Sequence, residues 1–265
     1  MIYVCSDIHG RFDRYKKLLK KIKDDDTLYI LGDAIDRGQD GIKILKDIMN
    51  RKNVILISGN HEDFMYKYLL KQQQLSIQNN KKSNIFNNDN NDFNTIWFAD
   101  ANGGKITYDK FLEEPENIQL DIFNFLSKLP VIVLLKINDT KFHLSHAGTI
   151  LNKNFNRYKL NKPTIIYRHK VSDNDIYHIL WCNPYKYSSY LDFSEFPNNF
   201  TCIFGHVPVQ VIKDDFIKFK PYKYNNTIDI DGGCAYILAE SKYPDDVKTA
   251  LNYMCLDTMK SYYIR

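Results

Sequence analysis

Much is missing from this chain, and each absence narrows the reading. The five cysteines, Cys5, Cys182, Cys202, Cys234 and Cys255, lie far apart and make no CxxC. An odd count without close spacing argues against a disulfide framework and for a reducing compartment, where a free Cys acts as a small hydrophobe. No apolar stretch approaches the ~20 residues of a membrane span. Ile2 enters a strand without a charged leader or an apolar h-region, so no signal peptide is expected. No strong charge excess exists either. The net charge of +4 is too mild for a nucleic-acid binder, yet it suits an anionic substrate. With no internal repeat and no evident linker, one domain over 1–265 is expected. Together these absences predict a soluble, cytoplasmic protein with no membrane partner.

What is present has an ordinary globular balance, with 44% hydrophobic and 26% charged residues. Aromatics reach 14%, and 19 of them are Tyr, which suggests a filled core and an aromatic-rimmed cleft. Residues 2–5, 27–31 and 53–57 read as strands. Residues 11–23, 41–50 and 63–71 carry apolar side chains at helical spacing. Alternating strands and helices predict parallel pairing with right-handed crossovers and ligands gathering beyond the carboxyl ends of the strands. Residues 72–94 are rich in Gln, Asn and Lys, so a mobile polar insertion is expected there. Residues 97–112 return to order, and 118–129 read as a helix stopped by Pro130. After Pro130 the texture turns to β. Residues 131–136 and 141–145 read as a hairpin, and 149–178 as loops with a short helix. Short strands are expected at 201–204, 209–212, 216–219, 227–231, 236–239 and 251–256.

Five strand-end loops carry metal-ligand chemistry: Asp7 with His9, Asp33 with Asp36, Asn60 with His61, then His146, then His206. Asp7 and His9 are two apart, so extended backbone would turn both to one side. A carboxylate such as Asp33 has two oxygens and can hold two ions ~3.5–4 Å apart. Mixed Asp, His and Asn ligation suits Mn, Fe or Zn better than Ca. Any one of these histidines alone would be an ordinary core or surface residue. His143, His169 and His178 are read that way, and strand alternation should point His143 away from His146.

In sequence order, Ser6-Asp7-Ile8-His9-Gly10, Gly32-Asp33-Ala34-Ile35-Asp36-Arg37-Gly38 and Gly59-Asn60-His61-Glu62 resemble the three signature motifs of the calcineurin-like metallophosphoesterases. The form GDxxDRG…GNHE resembles their phosphoprotein phosphatase branch. Ser145-His146-Ala147-Gly148 and Phe204-Gly205-His206-Val207-Pro208 look like the later histidine motifs. The segment from Trp97 to Gly104 and the run Ile228-Asp229-Ile230-Asp231-Gly232-Gly233 are similar to bacterial members.

The resemblance implies an α/β fold (α+β mixed), with two mixed β-sheets packed as a central sandwich flanked by helices, the metallophosphatase four-layer fold. It also implies two divalent metal ions, manganese first, with iron, zinc or nickel as alternatives. Asp7, His9 and Asp33 would hold one ion, and Asp33, Asn60, His146 and His206 the other. A metal-bridging hydroxide would attack phosphorus. His61 would protonate the leaving oxygen, Asp36 would orient His61, and Arg37 would clamp the phosphate. The activity implied is that of a serine/threonine protein phosphatase acting on phosphate monoesters of a phosphoprotein. The alternative is a symmetrical diadenosine tetraphosphatase-like pyrophosphohydrolase acting on a nucleotide.

Three features depart from the family pattern, among them Ser58, which stands where many protein phosphatases have Arg before GNHE. Pro208 stands where the diesterase type has a second His. No Arg lies between Arg168 and Arg265, where a second phosphate-binding Arg is expected. Lys186 or Arg168 is the candidate replacement.

Overall fold

Parallel strands need crossover connections, and the first third of the chain supplies them. The computed structural model describes residues 1–79, 83–86, 96–151, 153–182, 196–212, 219–235 and 249–265. In it β1 (Ile2–Cys5), α1 (Phe12–Leu19), β2 (Thr27–Ile30), α2 (Gly41–Met49), β3 (Val54–Leu56) and α3 (Asn60–Gln78) follow in order. β1 pairs parallel with β2, and β2 with β3, as the alternating pattern requires. The sheet is completed from the far end of the chain. β10 (Leu251–Cys255) runs antiparallel beside β1, and β11 (Lys260–Ile264) lies outside it, giving the order β11-β10-β1-β2-β3.

Helices α4 (Gly104–Leu112) and α5 (Glu116–Ser127) lead into a hairpin of β4 (Pro130–Ile137) and β5 (Thr140–Ser145). Then come β6 (Thr164–Tyr167), α6 (Asp173–Trp181), β7 (Thr201–Phe204), α7 (Val209–Ile212), β8 (Tyr222–Tyr224) and β9 (Thr227–Asp229). The second sheet has the order β6-β4-β5-β7-β9-β8 and is also mixed, with β5, β7 and β9 parallel.

Three apolar clusters account for the layering. Val4, Tyr29, Leu31 and Ile57 of the first sheet meet Val133, Leu135, Phe142, Leu144 and Ile203 of the second, and seal the two sheets face to face. Cys5, Leu28, Ile30 and Leu56 on the other face of the first sheet pack on Tyr15, Leu45, Leu69 and Phe111 from the helices. Ile132, Leu134 and Cys202 on the outer face of the second sheet pack on Ile176, Ile179 and Leu180 of α6. The order helices, sheet, sheet, helix is the four-layer sandwich expected.

Several local expectations are corrected. Residues 209–212 form one helical turn, not a strand. Pro208 precedes them with a φ suited to a helix start, and its carbonyl accepts from Val211 N at 2.8 Å. Helix α3 runs to Gln78, seven residues past its expected end and into the stretch expected to be a mobile polar insertion. Gln72 and Ser76 lie on its buried face, and Ser76 Oγ donates to the Ile85 carbonyl at 2.5 Å, which lets a polar sequence pack. Phe86 is buried against Phe111 and Phe123. The rest of that stretch, 80–82 and 87–95, lies outside the described residues, as do the strand expected at 236–239 and most of the one at 216–219. Strands β6, β8 and β11 escape sequence reading, because each is a short edge strand defined by its partner rather than by alternation.

Candidate metal centre

The carboxyl ends of β1, β2, β3, β5 and β7 converge, and each carries one polar motif. The chain turns there in strained backbone. Asp7, His9, Asp33, Asp36, Arg37 and His206 all have positive φ, between 45° and 77°. Such conformations cost of order 1–3 kcal/mol each for residues with a Cβ and persist only where the surroundings enforce them. Asp7 and His9 do face one another, but through this left-handed turn and not through extended alternation. His9 Nε2 lies 3.8 Å from Asp7 Oδ1.

Asp33 is the centre of the cluster and is 2% exposed. Its Oδ2 lies 3.6 Å from His9 Nε2 and 3.7 Å from His61 Nε2. Its Oδ1 lies 3.5 Å from His146 Nε2 on the other side. His146 Nε2 is 2.8 Å from Asn60 Oδ1 and 3.1 Å from His206 Nδ1, and His206 Nδ1 is 3.1 Å from Asn60 Oδ1. The structure thus has two groups able to hold a metal ion that share one carboxylate: His9, Asp33 and His61, and Asp33, His146 and His206. Asn60 joins the second group. Asp7 stands at the edge of the first, its buried Oδ1 without a hydrogen-bond partner among the described residues while its Oδ2 accepts from His206 N at 3.0 Å.

The donor chemistry fits divalent cations. His9 Nδ1 faces the Ile35 carbonyl at 3.0 Å, and His146 Nδ1 faces the Leu31 carbonyl at 2.8 Å. A carbonyl only accepts, so each Nδ1 donates, and each Nε2 is the ring nitrogen left facing the site. This is the arrangement by which a protein orients histidines toward a metal. Burial, reinforced by Arg37 and His61, holds the His9 imidazole well below its usual pKa. Burial, with His146 and His61 adding, does the same to His206. Both rings are therefore neutral at pH 7. Burial pushes the Asp33 carboxyl well above its usual range; His61 opposes this, while Asp7 and Glu62 add to it. A cation between these groups reverses that balance.

His61 behaves differently from its neighbours. Burial pulls its pKa down, but the Asp33 charge and the hydrogen bond from Nδ1 to Asp36 Oδ2, at 2.7 Å, outweigh burial and raise it. Its Nε2 was not expected among the ligand atoms, yet it stands as near Asp33 as His9 does. Arg37 Nε is buried without a partner among the described residues, and the guanidinium charge acts on His9, His61 and His206.

Three supporting residues were not assigned a role from sequence. Glu62, the third residue of α3, accepts from Asp33 N at 2.8 Å, Ala34 N at 2.9 Å and Gly59 N at 2.9 Å. It caps its own helix and clamps the Asp33 turn in one stroke. Gly59 must lack a side chain, because a Cβ there would come 2.2 Å from Asp33 Oδ1. Trp97 donates its indole N–H to Asp36 Oδ2 at 2.7 Å. Spacing marks only the capping contact of Glu62 with Gly59, three residues away; the other partners lie on other elements.

Of the two candidates for a second phosphate-binding cation, Lys186 lies outside the described residues. Arg168 is engaged with the buried Asp63. It lines a cavity of about 220 Å³ with Lys67, Tyr177 and Trp181. Trp181 packs edge-on against Phe64 and His206, with ring centroids 5.1 and 5.9 Å apart, so this cavity adjoins the cluster. His143 keeps away from the centre. It is fully buried among Phe155 and Phe196, with Thr149 Oγ1 3.0 Å from its Nε2. Among the described residues no helix is long and apolar enough to cross a membrane.

A family model described as Calcineurin-like phosphoesterase matches residues 1–210. A curated relative from Buchnera aphidicola subsp. Schizaphis graminum (strain Sg), named bis(5'-nucleosyl)-tetraphosphatase, symmetrical, is 32% identical over 153 residues, covering 56% of the chain and 44% of the relative. One of the same name from Hamiltonella defensa subsp. Acyrthosiphon pisum (strain 5AT) is 39% identical over 64 residues, 23% of each chain. The chain thus spans less than half the length of the curated relatives it matches. A crystal structure provisionally named as a diadenosine tetraphosphatase superposes with a TM-score of 0.53 at 18% identity, over 99% of this chain and 92% of the other, a likeness of fold.

Proposed function

The chain belongs to the calcineurin-like phosphoesterase family, and from that premise we propose a metal-dependent hydrolase that cuts dinucleoside tetraphosphates symmetrically. Water enters at the central phosphoanhydride, and two nucleoside diphosphates leave. The observation that carries the reading is Asp33, whose two oxygens each face a separate group of imidazole nitrogens.

Asp7, His9 and Asp33 would hold one divalent cation, and Asp33, Asn60, His146 and His206 the other. Such cations, when bound, lower the pKa of water and offset charge on phosphate oxygens. The chain's own residues do the rest. Arg37 offers to the phosphate chain a guanidinium whose buried Nε has no partner among the described residues. Asp36 holds His61 through Nδ1, so that Nε2 faces the site and delivers a proton to the departing phosphate oxygen. The raised pKa of His61 suits it to carry that proton near neutral pH.

The serine/threonine phosphatase reading rested on the form GDxxDRG…GNHE. It yields to the dinucleotide reading because the curated relatives that match, at about a third identity, bear the tetraphosphatase name. Purified protein with Mn²⁺ should be given diadenosine tetraphosphate and a phosphoserine peptide side by side. ADP as the sole nucleotide product, with slower release of phosphate from the peptide, is expected. ATP with AMP, or a preference for the peptide, would overturn the substrate assignment.

A further inference from the structure

Trp97 would be counted a core residue on burial alone, since it is 1% exposed and packs on Tyr68, Phe98 and Tyr108. Its indole N–H is what sets it apart. A buried indole can be satisfied by any nearby carbonyl. This one ends on Asp36 Oδ2, the same oxygen, at the same 2.7 Å, that receives His61 Nδ1. Asp36 is fully buried, and its Oδ1 has no partner among the described residues. The carboxylate is therefore held in place by two donors, one from the ring it orients and one from Trp97.

The surrounding segment is shaped to this turn. Asp36 N donates to Thr107 Oγ1 at 3.1 Å, so α4 grips the backbone of the residue whose side chain Trp97 grips. Gly103 has φ 70°, and a Cβ on it would lie 2.6 Å from Arg37 N. A Cβ on Gly104 would lie 2.3 Å from the Trp97 ring. The two glycines let the 97–104 segment close onto the Asp36-Arg37 turn and onto the indole together. The donor type also matters. Indole N–H donates and cannot accept, so it fixes the carboxylate without competing for the His61 proton. A hydroxyl at this place could do either.

We propose that Trp97 is a positioning residue for proton delivery: its indole N–H fixes the Asp36 carboxylate, which in turn aims His61 Nε2 at the leaving oxygen. The inference rests on the phosphoester-hydrolase reading but not on which phosphoester is the substrate. Loss of the indole N–H frees Asp36 to rotate, and His61 loses the tether that fixes both its tautomer and its ring plane.

The test uses Trp97→Phe, checked for a native melting transition, on 4-nitrophenyl phosphate and on phenyl phosphate. The nitrophenolate departs with little help from an acid, whereas phenolate needs the proton. The expected result is a kcat loss of roughly tenfold or more on phenyl phosphate against less than about threefold on the nitrophenyl ester, a part of the contribution general acids make. In a His61→Asn background, Trp97→Phe should cost nothing further on either ester. Equal losses on both esters, or an undiminished loss in that background, would overturn the proposal. Proton NMR supplies a second readout. The chain has two tryptophans, so two indole N–H resonances are expected. The one lost in Trp97→Phe should lie downfield and exchange slowly, and should move upfield in Asp36→Asn. An indole resonance indifferent to Asp36 contradicts the hydrogen bond even if no ester is turned over. Wild-type protein that cleaves aryl phosphates but not diadenosine tetraphosphate would remove the substrate reading and leave the role of Trp97 to be decided on its own data.

Discussion

Asp33 and Glu62 divide between them the work of placing charge at a strand end. Asp33 points its carboxylate into the cluster, and Glu62 holds the backbone that lets it do so. Three backbone N–H groups converge on Glu62, all buried. Glu62→Gln replaces one acceptor oxygen with an NH₂ that faces an N–H donor. An unsatisfied buried donor costs about 1–3 kcal/mol, and here two donors are brought nose to nose. Urea unfolding should show a loss of at least that size, along with reduced metal affinity, because the Asp33 turn is loosened. Unchanged stability would mean that the clamp is dispensable. At this scale the sequence was informative where chemistry clusters within a few residues: Asp7, His9, Asp33, Asp36, Asn60, His61, His146 and His206 all meet in the fold. It was silent where a residue works through a distant partner. Glu62 looked like part of a motif without a task, and Trp97 lies 61 positions from Asp36.

The strand β5 illustrates what an element decides. Its alternation sends Phe142 and Leu144 between the sheets and His143 to the outer layer, against Phe155 and Phe196, while the strand's end delivers His146 to the site. Burial lowers the His143 pKa from 6.5 to about 3. An unfolded chain takes up a proton at that ring below about pH 6.5, and the native one does not until about pH 3. Native stability is therefore present in full above pH 6.5 and lost as pH falls through that window, by up to ~1.4 kcal/mol per unit. His143→Gln removes this dependence. The difference in unfolding free energy between pH 7 and pH 5 should shrink by roughly 2 kcal/mol relative to wild type, whatever the other histidines contribute. An equal difference in both proteins would contradict the assignment. Elements with a buried face and clear period, such as α1, α2 and the β4–β5 hairpin, were legible in sequence. Edge strands and the single turn at Val209–Ile212 were not, because four residues such as V-Q-V-I satisfy either period.

On the scale of the whole molecule, neither sheet has a site by itself. The first supplies Asp7, His9, Asp33, Asn60 and His61 from the ends of β1, β2 and β3; the second supplies His146 and His206 from the ends of β5 and β7. The main chain ties the halves together at the same edge, with Ser58 N donating to the Pro130 carbonyl at 2.8 Å. The alternating first half of the chain announced one sheet and its ligand edge. The second sheet's place opposite it followed from the family resemblance, because the contacts that join the sheets are non-local and leave no local period. A shared carboxylate across this seam is the centre of the account, and electron paramagnetic resonance of the Mn²⁺-loaded protein addresses it directly. Two equivalents of Mn²⁺ should give the multiline spectrum of an exchange-coupled pair, and Asp33→Asn should reduce it to the six-line signal of isolated ions. Two uncoupled ions in the wild type, or a coupled pair that survives Asp33→Asn, would contradict Asp33 as the bridge.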